Sequence, residues 1–120
     1  MSKKLIGAWG EARAAEYLKT KGYQVVSQGY RTRFGEIDLI AVDDTFVAFV
    51  EVKTRKDDDF AEAWESVGER KRARIRRTAE IWLLQHASEH QPRFDVIEIY
   101  APQGADTKQP EIRHWEDAFQ

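Results

Sequence analysis

The feature that most constrains this chain is the stretch over residues 35–55, GEIDLIAVDDTFVAFVEVKTR. Two largely apolar segments flank a short polar segment, Asp-Asp-Thr. This pattern predicts two antiparallel strands joined by a tight turn centred between the second aspartate and the threonine. A hairpin with that centre places Asp38 directly opposite Glu51, and Glu36 opposite Lys53. Two acidic side chains therefore face each other in a segment that is otherwise suited to a protein core.

The two faces of this hairpin differ in character. Side chains alternate along a strand, so this register gathers the ionisable residues on one face. They are Glu36, Asp38, Glu51 and Lys53. The opposite face is apolar and consists of Ile37, Leu39, Ala41, Ala48, Val50 and Val52. Ile40 and Phe49 continue the charged face as apolar residues, which makes the charges a local insertion. A bulge or an odd-length loop would instead put Asp38 and Glu51 on opposite faces.

The charged face has two interpretations. Carboxylates directly across a hairpin repel each other, and a divalent cation such as Mg²⁺ or Mn²⁺ would remove that cost. A neighbouring lysine suits a phosphate group or an attacking water. The alternative is a solvated hairpin face on which Glu36 and Lys53 form a cross-strand ion pair. We favour a functional site, because the charges interrupt an otherwise apolar face.

Composition narrows the chemistry of such a site. The chain has no cysteine, which excludes disulfides, zinc–thiolate sites and cysteine nucleophiles. Its three histidines lack the spacing of metal ligands, so any metal would be held by oxygen. The 120 residues are enough for one domain, residues 1–120, with a core of its own. There is no apolar run typical of a signal peptide or a membrane span, so we expect a soluble, cytoplasmic protein without membrane contact.

A basic segment lies in the second half of the chain. The net charge of −2 argues against a general polycation, yet six basic residues crowd into one short stretch. They are Arg70, Lys71, Arg72, Arg74, Arg76 and Arg77. The surrounding sequence predicts a helix over residues 66–87. Its buried stripe would consist of Val67, Ile75, Ala79, Trp82 and Leu83.

The basic segment also has two interpretations. Arg70, Arg74 and Arg77 form a ridge on the predicted helix. The ridge is either a solvated face, with Glu69 and Glu80 as partners, or a surface that contacts nucleic-acid phosphates. The density of positive charge favours phosphate contact.

Lys71 falls on the buried stripe rather than on the ridge. A lysine in that position usually has an anionic partner. Lys71 could reach the carboxylate cluster or a bound phosphate, or it could extend its ammonium group to solvent.

The other predicted elements complete an α/β pattern. A helix is predicted over residues 5–21, strands over residues 23–30 and 93–100, and an edge strand over residues 111–115. The order is helix, strand, hairpin, helix, strand, which predicts a central mixed sheet with a helix on each side.

The start of the first helix has two glycines, Gly7 and Gly10, which indicate a close approach to another backbone. Glu11 follows them. On the sequence alone, Glu11 is either an exposed helix residue or a carboxylate that leans over the sheet toward Asp38.

These residues resemble known families at two levels. The order α-β-β-β-α-β, with Asp38 on the second strand and Glu51-x-Lys53 on the third, resembles the core of the PD-(D/E)xK nuclease superfamily. A closer resemblance covers nearly the whole chain, through the glycines and alanines of residues 7–18, the motifs GEIDLI and FVEVKTR, and Lys71. These motifs are similar to those of the YraN-like family of uncharacterised bacterial proteins, which is related by fold to archaeal Holliday junction resolvases.

The resemblance implies a restriction-endonuclease-like fold and a specific metal site. It implies that Glu11, Asp38 and Glu51 hold Mg²⁺ or Mn²⁺, while Lys53 polarises the phosphate or the attacking water. The accessory residues of this site would be Glu36, Arg55 and Lys71.

The expected function is that of a metal-dependent endonuclease that hydrolyses DNA, including branched DNA. The nucleic-acid-binding residues would be Arg70, Lys71, Arg72, Arg74 and Arg77. A four-way junction requires two active sites, which favours a homodimer for such a substrate. The alternative is a nucleic-acid- or protein-binding module that keeps the fold and does not cleave; an RNA substrate also stays open.

Overall fold

A five-stranded sheet forms the middle layer of the protein, with one helix packed against each face. The computed structural model describes residues 3–56 and 67–120. Its elements are α1 (Lys3–Thr20), β1 (Gln24–Thr32), β2 (Gly35–Val42), β3 (Phe46–Arg55), α2 (Glu69–Gln85), β4 (Gln91–Tyr100), a 3₁₀ turn (Gly104–Asp106) and β5 (Glu111–Phe119). The predicted α/β class and element order are confirmed, although Ser66, the predicted start of α2, lies outside the described residues.

The strands lie in the sheet in chain order, from β1 to β5. Neighbouring strands are antiparallel except β3 and β4, which are parallel, so the sheet is mixed as predicted. Parallel neighbours cannot be joined by a tight turn, and α2 lies in the connection between them.

The predicted register of the β2–β3 hairpin is confirmed. Leu39 pairs with Val50 and Ile40 with Phe49, which is the register that places Asp38 across from Glu51. The turn is fixed by Asp43, whose Oδ1 accepts hydrogen bonds from the backbone N–H groups of residues 45 and 46 at 2.9 and 2.6 Å. The geometry of the turn thus sets the register of both strands.

The two strands of the hairpin separate at its charged end. The ladder between them stops at Leu39 and Val50, while β2 stays paired with β1 as far as Gly35 and β3 stays paired with β4 as far as Arg55. Where the ladder stops, the carboxylate of Asp38 accepts a hydrogen bond from the Val52 N–H at 2.8 Å. The carboxylates therefore lie at the mouth of a wedge between β2 and β3.

Two apolar clusters hold the layers together. The α1 cluster contains Ala14, Ala15, Leu18, Tyr23, Leu39, Ala41, Ala48, Val50, Ile97 and Ile99. The α2 cluster contains Ile37, Ile40, Val47, Phe49, Val67, Ile75, Ala79, Trp82, Val96 and Phe119. The predicted stripe of α2 is confirmed, and Leu83 packs at its edge. The placement of Ile37 with Leu39 was wrong: β2 is bonded only to β1 at this end, so its alternation no longer follows that of β3.

Helix α1 ends where the sequence predicts. Gly22 has φ +93°, a left-handed conformation that glycine adopts without strain, and its N–H donates to the Lys19 carbonyl at 3.1 Å. The predicted close approach near the start of α1 holds for Gly10 alone. A Cβ there would lie 1.9 Å from Thr54 Oγ1, so the neighbour is a side chain of β3 rather than its backbone.

Replacing Gly10 with alanine is expected to lower the free energy of unfolding by about 1–3 kcal/mol, because α1 would be pushed away from Thr54. Gly7→Ala is the matched control, since no described atom lies within 4 Å of a Cβ at that position. That variant should be neutral or more stable by about 0.5–1 kcal/mol, through helix propensity alone. Urea denaturation measures both, and a shift of the same sign in the two variants would contradict the packing described.

Strand β5 is longer than the edge strand predicted over residues 111–115. It passes through an irregularity opposite β4, where Asp117 adopts φ 53°, and then pairs again through Phe119. The buried carboxylate of Asp95 stabilises this irregularity, because its Oδ1 accepts a hydrogen bond from the Asp117 N–H at 3.0 Å. The strand can therefore continue beyond the expected end.

Candidate functional site

The three predicted carboxylates of the hairpin line one depression of about 400 Å³, whereas Lys53 is not among its lining residues. Its wall is formed by the β2–β3 wedge on one side and α2 on the other. The lining residues are Gly35, Glu36, Asp38, Glu51, Lys71, Arg74 and Ile75. The fold thus brings the predicted carboxylates of two strands together with two basic residues of the predicted helix.

Asp38 is half-buried at the centre of this depression. Burial, followed by the negative charge of Glu51, raises its pKa to about 7, against the hydrogen bond from the Val52 N–H. A carboxyl group with such a pKa is held in an environment that disfavours its anion. A bound cation would relieve that cost.

Glu51 is buried and lies between two lysines. The ammonium group of Lys71 donates a hydrogen bond to Glu51 Oε1, and Lys53 Nζ lies 3.6 Å from the same oxygen. Lys71 therefore reaches the carboxylate cluster, one of the alternatives that the sequence left open.

The two lysines have opposite electrostatic environments. Burial lowers the pKa of Lys53, and the adjacent charge of Lys71 lowers it further. Burial also acts to lower the pKa of Lys71, but the hydrogen bond and the charge of Glu51 outweigh it and raise that pKa. Lys71 is therefore the firmly protonated partner of Glu51, whereas Lys53 gives up its proton more readily.

Glu11 faces the cluster from α1. Burial raises its pKa, and the negative charges of Glu36 and Glu51 contribute to the same shift. Glu36 itself is exposed and pairs with Arg31, at 2.9 Å between Nη2 and Oε2. Among the described residues, Glu36 and Lys53 do not form a cross-strand ion pair. The interpretation of the charged face as a merely solvated face depended mainly on that pair.

Oxygen donors suited to Mg²⁺ or Mn²⁺ are present, but they do not form a finished coordination shell. Within residues 3–56 and 67–120, no group of three or more His, Asp or Glu side chains is arranged to hold a metal ion. The carboxylate oxygens still suit a hard divalent cation. The pKa values of Asp38 and Glu11 are raised beside the buried Glu51, so their anions are disfavoured and a bound cation would relieve that cost. The residues that would hold the metal are Glu11, Asp38 and Glu51.

Arg55 contacts a residue that the sequence analysis missed. Its Nε donates to Oε2 of Glu98 at 3.1 Å, and the indole N–H of Trp115 donates to Oε1 at 3.0 Å. Glu98 is 1% exposed and lies beside Lys53 on the neighbouring strand. Glu98 also affects Tyr100 on the same strand, because burial together with the hydrogen bond and charge of Glu98 raises the pKa of Tyr100 to about 12. A glutamate between Ile97 and Ile99 in an apolar strand was the available signal, because such a residue needs buried partners.

The five arginines among the predicted basic residues of α2 divide into two groups. Three have protein partners: Arg72 donates to the Val67 carbonyl at 2.6 Å, Arg76 pairs with Glu69 at 2.6 Å, and Arg77 pairs with Glu80 at 3.2 Å. Arg70 and Arg74 are exposed and form no ion pair with any described residue. Arg74 also lines the carboxylate depression, so it is the ridge residue closest to the proposed chemistry.

Asp38→Asn is expected to stabilise the metal-free protein in a pH-dependent way. The folded-state pKa of Asp38 is about 7 and its unfolded value is near 4. The stability of the folded carboxyl group is therefore fully present below about pH 4 and is lost as the pH rises through about 7. Asparagine keeps an oxygen acceptor for the Val52 N–H without the charge. We expect a gain of about 1–3 kcal/mol at pH 8 and none at pH 4.

Urea denaturation in EDTA at the two pH values measures this effect. Asp44→Asn is the matched control, since Asp44 is an exposed acid in the turn of the same hairpin. Equal changes in the two variants would show that Asp38 does not carry the electrostatic cost described here.

No helix among the described residues is long and apolar enough to cross a membrane.

The fold and the charged depression together define an α/β protein with an acidic pocket beside an arginine-rich helix. Residues 10–99 match the model of the family described as "Uncharacterised protein family UPF0102", and the chain belongs to this family. A UPF0102 protein of Alkaliphilus oremlandii is 43% identical over 99% of this chain and 100% of its own length. UPF0102 proteins of Nocardia farcinica and Rhodococcus opacus are 42% and 41% identical, over 91% and 95% of their lengths and 98% and 95% of this chain. The predicted membership of the YraN-like family is confirmed.

Proposed function

We propose that this protein is a metal-dependent endonuclease that hydrolyses phosphodiester bonds in DNA. The observation that carries the proposal is the joint position of Asp38 and Glu51 in an open depression next to Arg74, with Lys53 Nζ 3.6 Å from Glu51 Oε1. Acidic oxygen donors, a lysine and a phosphate-binding surface are the parts that metal-assisted phosphodiester hydrolysis requires.

The resemblance to the PD-(D/E)xK nucleases supports the same chemistry. In that superfamily, an aspartate of the second strand and Glu-x-Lys of the third strand form the site. In this chain Asp38 is on β2, and Glu51 and Lys53 are on β3, in a hairpin whose register brings the two carboxylates across from each other. This resemblance supports the chemistry by analogy, whereas the geometry of the residues supports it independently.

The residues in and beside the depression have separable roles in this proposal. Glu11, Asp38 and Glu51 would hold Mg²⁺ or Mn²⁺, which when bound supplies a Lewis acid for the phosphate and lowers the pKa of a bound water. Lys53 donates a hydrogen bond to a phosphate oxygen or orients the attacking water, a role that suits a lysine of lowered pKa. Lys71 neutralises Glu51 and keeps its carboxylate oriented.

The DNA backbone would be held by α2. Arg70 and Arg74 are exposed and without ion pairs among the described residues, and Arg77 is exposed beside them. Guanidinium groups bind phosphate through paired N–H donors. Contacts of this kind recognise the shape of the backbone rather than its sequence and produce a steep dependence on salt. We extend the proposal to branched DNA, for which a homodimer would supply two sites.

One observation favours a second candidate function. The described carboxylates do not form a ready metal-ligand group, and Lys71 already neutralises Glu51. A nucleic-acid- or protein-binding module that keeps the fold without cleaving would have this appearance. Such a module would bind DNA equally well with and without a divalent cation.

A cleavage assay separates the two candidates. Labelled single-stranded DNA, duplex, flap and four-way junction would each be incubated with the protein in Mg²⁺, Mn²⁺ or EDTA. Cutting that requires the cation supports the endonuclease and identifies the preferred DNA shape. Binding without cutting on every substrate and with every cation would support the binding module instead.

A further inference from the structure

We propose that the turn between β1 and β2 is a second phosphate-binding surface, which holds the DNA strand next to the carboxylate depression. Together with the last two residues of β1, the turn has the sequence Arg31-Thr32-Arg33-Phe34, and none of these residues belongs to α2 or to the predicted site. The inference rests on the proposed function and extends it, because it assigns the path of the strand on one side of the scissile phosphate.

The shape of the surface at the turn suits a bound strand. A second depression of about 470 Å³ lies at the turn. It is lined by Arg31, Thr32, Arg33, Phe34, Gly35, Glu36 and Arg74. Gly35, Glu36 and Arg74 also line the carboxylate depression. The two depressions are therefore continuous, and together they form a groove that leads from Asp38 and Glu51 to the turn.

The charge of the groove changes along its length. Its inner part carries the carboxylates, whereas its outer part carries the exposed guanidinium groups of Arg31, Arg33 and Arg74. Glu36 is the acidic residue of this outer part, and it pairs with Arg31, whose side chain remains 75% exposed. Arg33 and Arg74 form no ion pair with any described residue. The outer groove is thus positively charged and open to a phosphate backbone.

The fold also fixes the turn in place. The Phe34 N–H donates to Thr32 Oγ1 at 3.1 Å, and that hydroxyl lies 3.3 Å from Oγ1 of the buried Thr78 on α2. Gly35 follows, and a Cβ at Gly35 would lie only 3.3 Å from the Cβ of Arg74. The backbone of the turn therefore rests directly against the basic face of α2.

An aromatic ring positions two of the guanidinium groups. The carbon at the centre of the Arg33 guanidinium lies 4.8 Å from the centroid of the Phe34 ring, and that of Arg77 lies 4.9 Å from it. Such stacking restricts arginines that would otherwise be mobile. Side chains that are ordered before binding lose less conformational entropy when a ligand arrives.

A nucleic-acid strand fits this groove better than a free anion does. The carboxylates at the inner end would repel a small anion, whereas a strand carries phosphates at regular intervals. One phosphate can then lie at the carboxylates, with a cation, while its neighbours lie at the arginines. The distribution of charge along the groove thus matches a polyanion that passes through the site.

DNA binding tests this inference without any cleavage. Fluorescence anisotropy of a labelled duplex and a four-way junction, in EDTA and over a range of salt concentrations, would compare wild type with the double variant Arg31→Ala/Arg33→Ala. We expect about a tenfold or larger loss of affinity, and a slope of log affinity against log salt that is smaller by about 1–2. The double variant Arg31→Lys/Arg33→Lys keeps both charges and should recover most of the slope.

The matched control is Lys19→Ala/Lys21→Ala, which removes the same charge at the opposite end of β1, where both lysines are exposed. It should bind within twofold of wild type, and thermal unfolding verifies that each variant is folded. Wild-type affinity in Arg31→Ala/Arg33→Ala, equal losses in both alanine pairs, or no DNA binding by the wild type would each overturn the inference. A protein that binds through the turn but never cuts would support it and contradict the endonuclease. A protein that cuts DNA but binds it equally well without Arg31 and Arg33 would support the endonuclease and contradict this inference.

Discussion

Replacing Asp38 with asparagine is expected to lower the rate of metal-dependent DNA cleavage by about 1000-fold or more. The substitution removes a proposed metal ligand at the centre of the depression, where catalysis depends on the stabilisation of developing charge. DNA binding should stay within a fewfold of the wild-type affinity or become tighter, because one negative charge is lost. Cleavage of the preferred substrate in Mg²⁺ and its binding in EDTA give the two readouts.

The same variant should be more stable than wild type in the absence of metal, as argued from the raised pKa of Asp38. Loss of activity together with a gain in stability is the combination expected of a functional carboxylate, since a structural one would lose stability. Asp44→Asn should retain wild-type cleavage. Activity of the Asp38 variant within tenfold of wild type would contradict the role assigned to Asp38.

Replacing Asp95 with alanine is expected to lower the free energy of unfolding by about 3–5 kcal/mol. Asp95 is fully buried, and the Arg93 guanidinium donates to both of its carboxylate oxygens at 2.8 Å. His114 Nε2 lies 2.7 Å from Oδ2, and Tyr17 of α1 contacts the other ring nitrogen of His114 at 3.2 Å. The alanine variant would leave Arg93 buried without its main partner. It would also remove the acceptor of the Asp117 N–H, which stabilises the irregularity of β5.

Glu116→Ala is the matched control for Asp95, because it removes the second carboxylate near Arg93. Its Oε2 lies 3.7 Å from Arg93 Nη1, and its side chain is 61% exposed, so the expected loss is below about 1 kcal/mol. Asp95→Asn separates the loss of charge from the loss of the side chain. Urea denaturation with equal effects for Asp95 and Glu116 would show that burial does not strengthen the Arg93 pair.

Local rules predicted the hairpin well. Turn geometry fixes the register of a hairpin, and alternation fixes its faces, so the opposition of Asp38 and Glu51 followed from the sequence. Alternation alone gave the wrong face for Ile37, which packs in the α2 cluster rather than with Leu39. Its packing depends on where β2 leaves β3, and that point is set by the pairing of each strand with its other neighbour.

Other parts of the site depend on tertiary contacts that no local pattern contains. The sequence left three environments open for the Lys71 ammonium group: the carboxylates, a bound phosphate or solvent. The packing of α2 on the sheet brings it to Glu51. The buried role of Glu98 requires β5 to supply Trp115. Arg31 and Arg33 look like ordinary turn residues, and they join the groove only because Gly35 lets the turn approach Arg74.

Calorimetric titration with Mn²⁺ is the decisive test of the metal site proposed at the carboxylates of Glu11, Asp38 and Glu51. We expect saturable binding of Mn²⁺ to wild type, weaker at pH 6 than at pH 8, because a proton competes for Asp38 near its pKa of about 7. Asp38→Asn should lose this binding, whereas Asp44→Asn should keep it. Absence of binding to wild type, or equal binding to Asp38→Asn, would contradict the metal site.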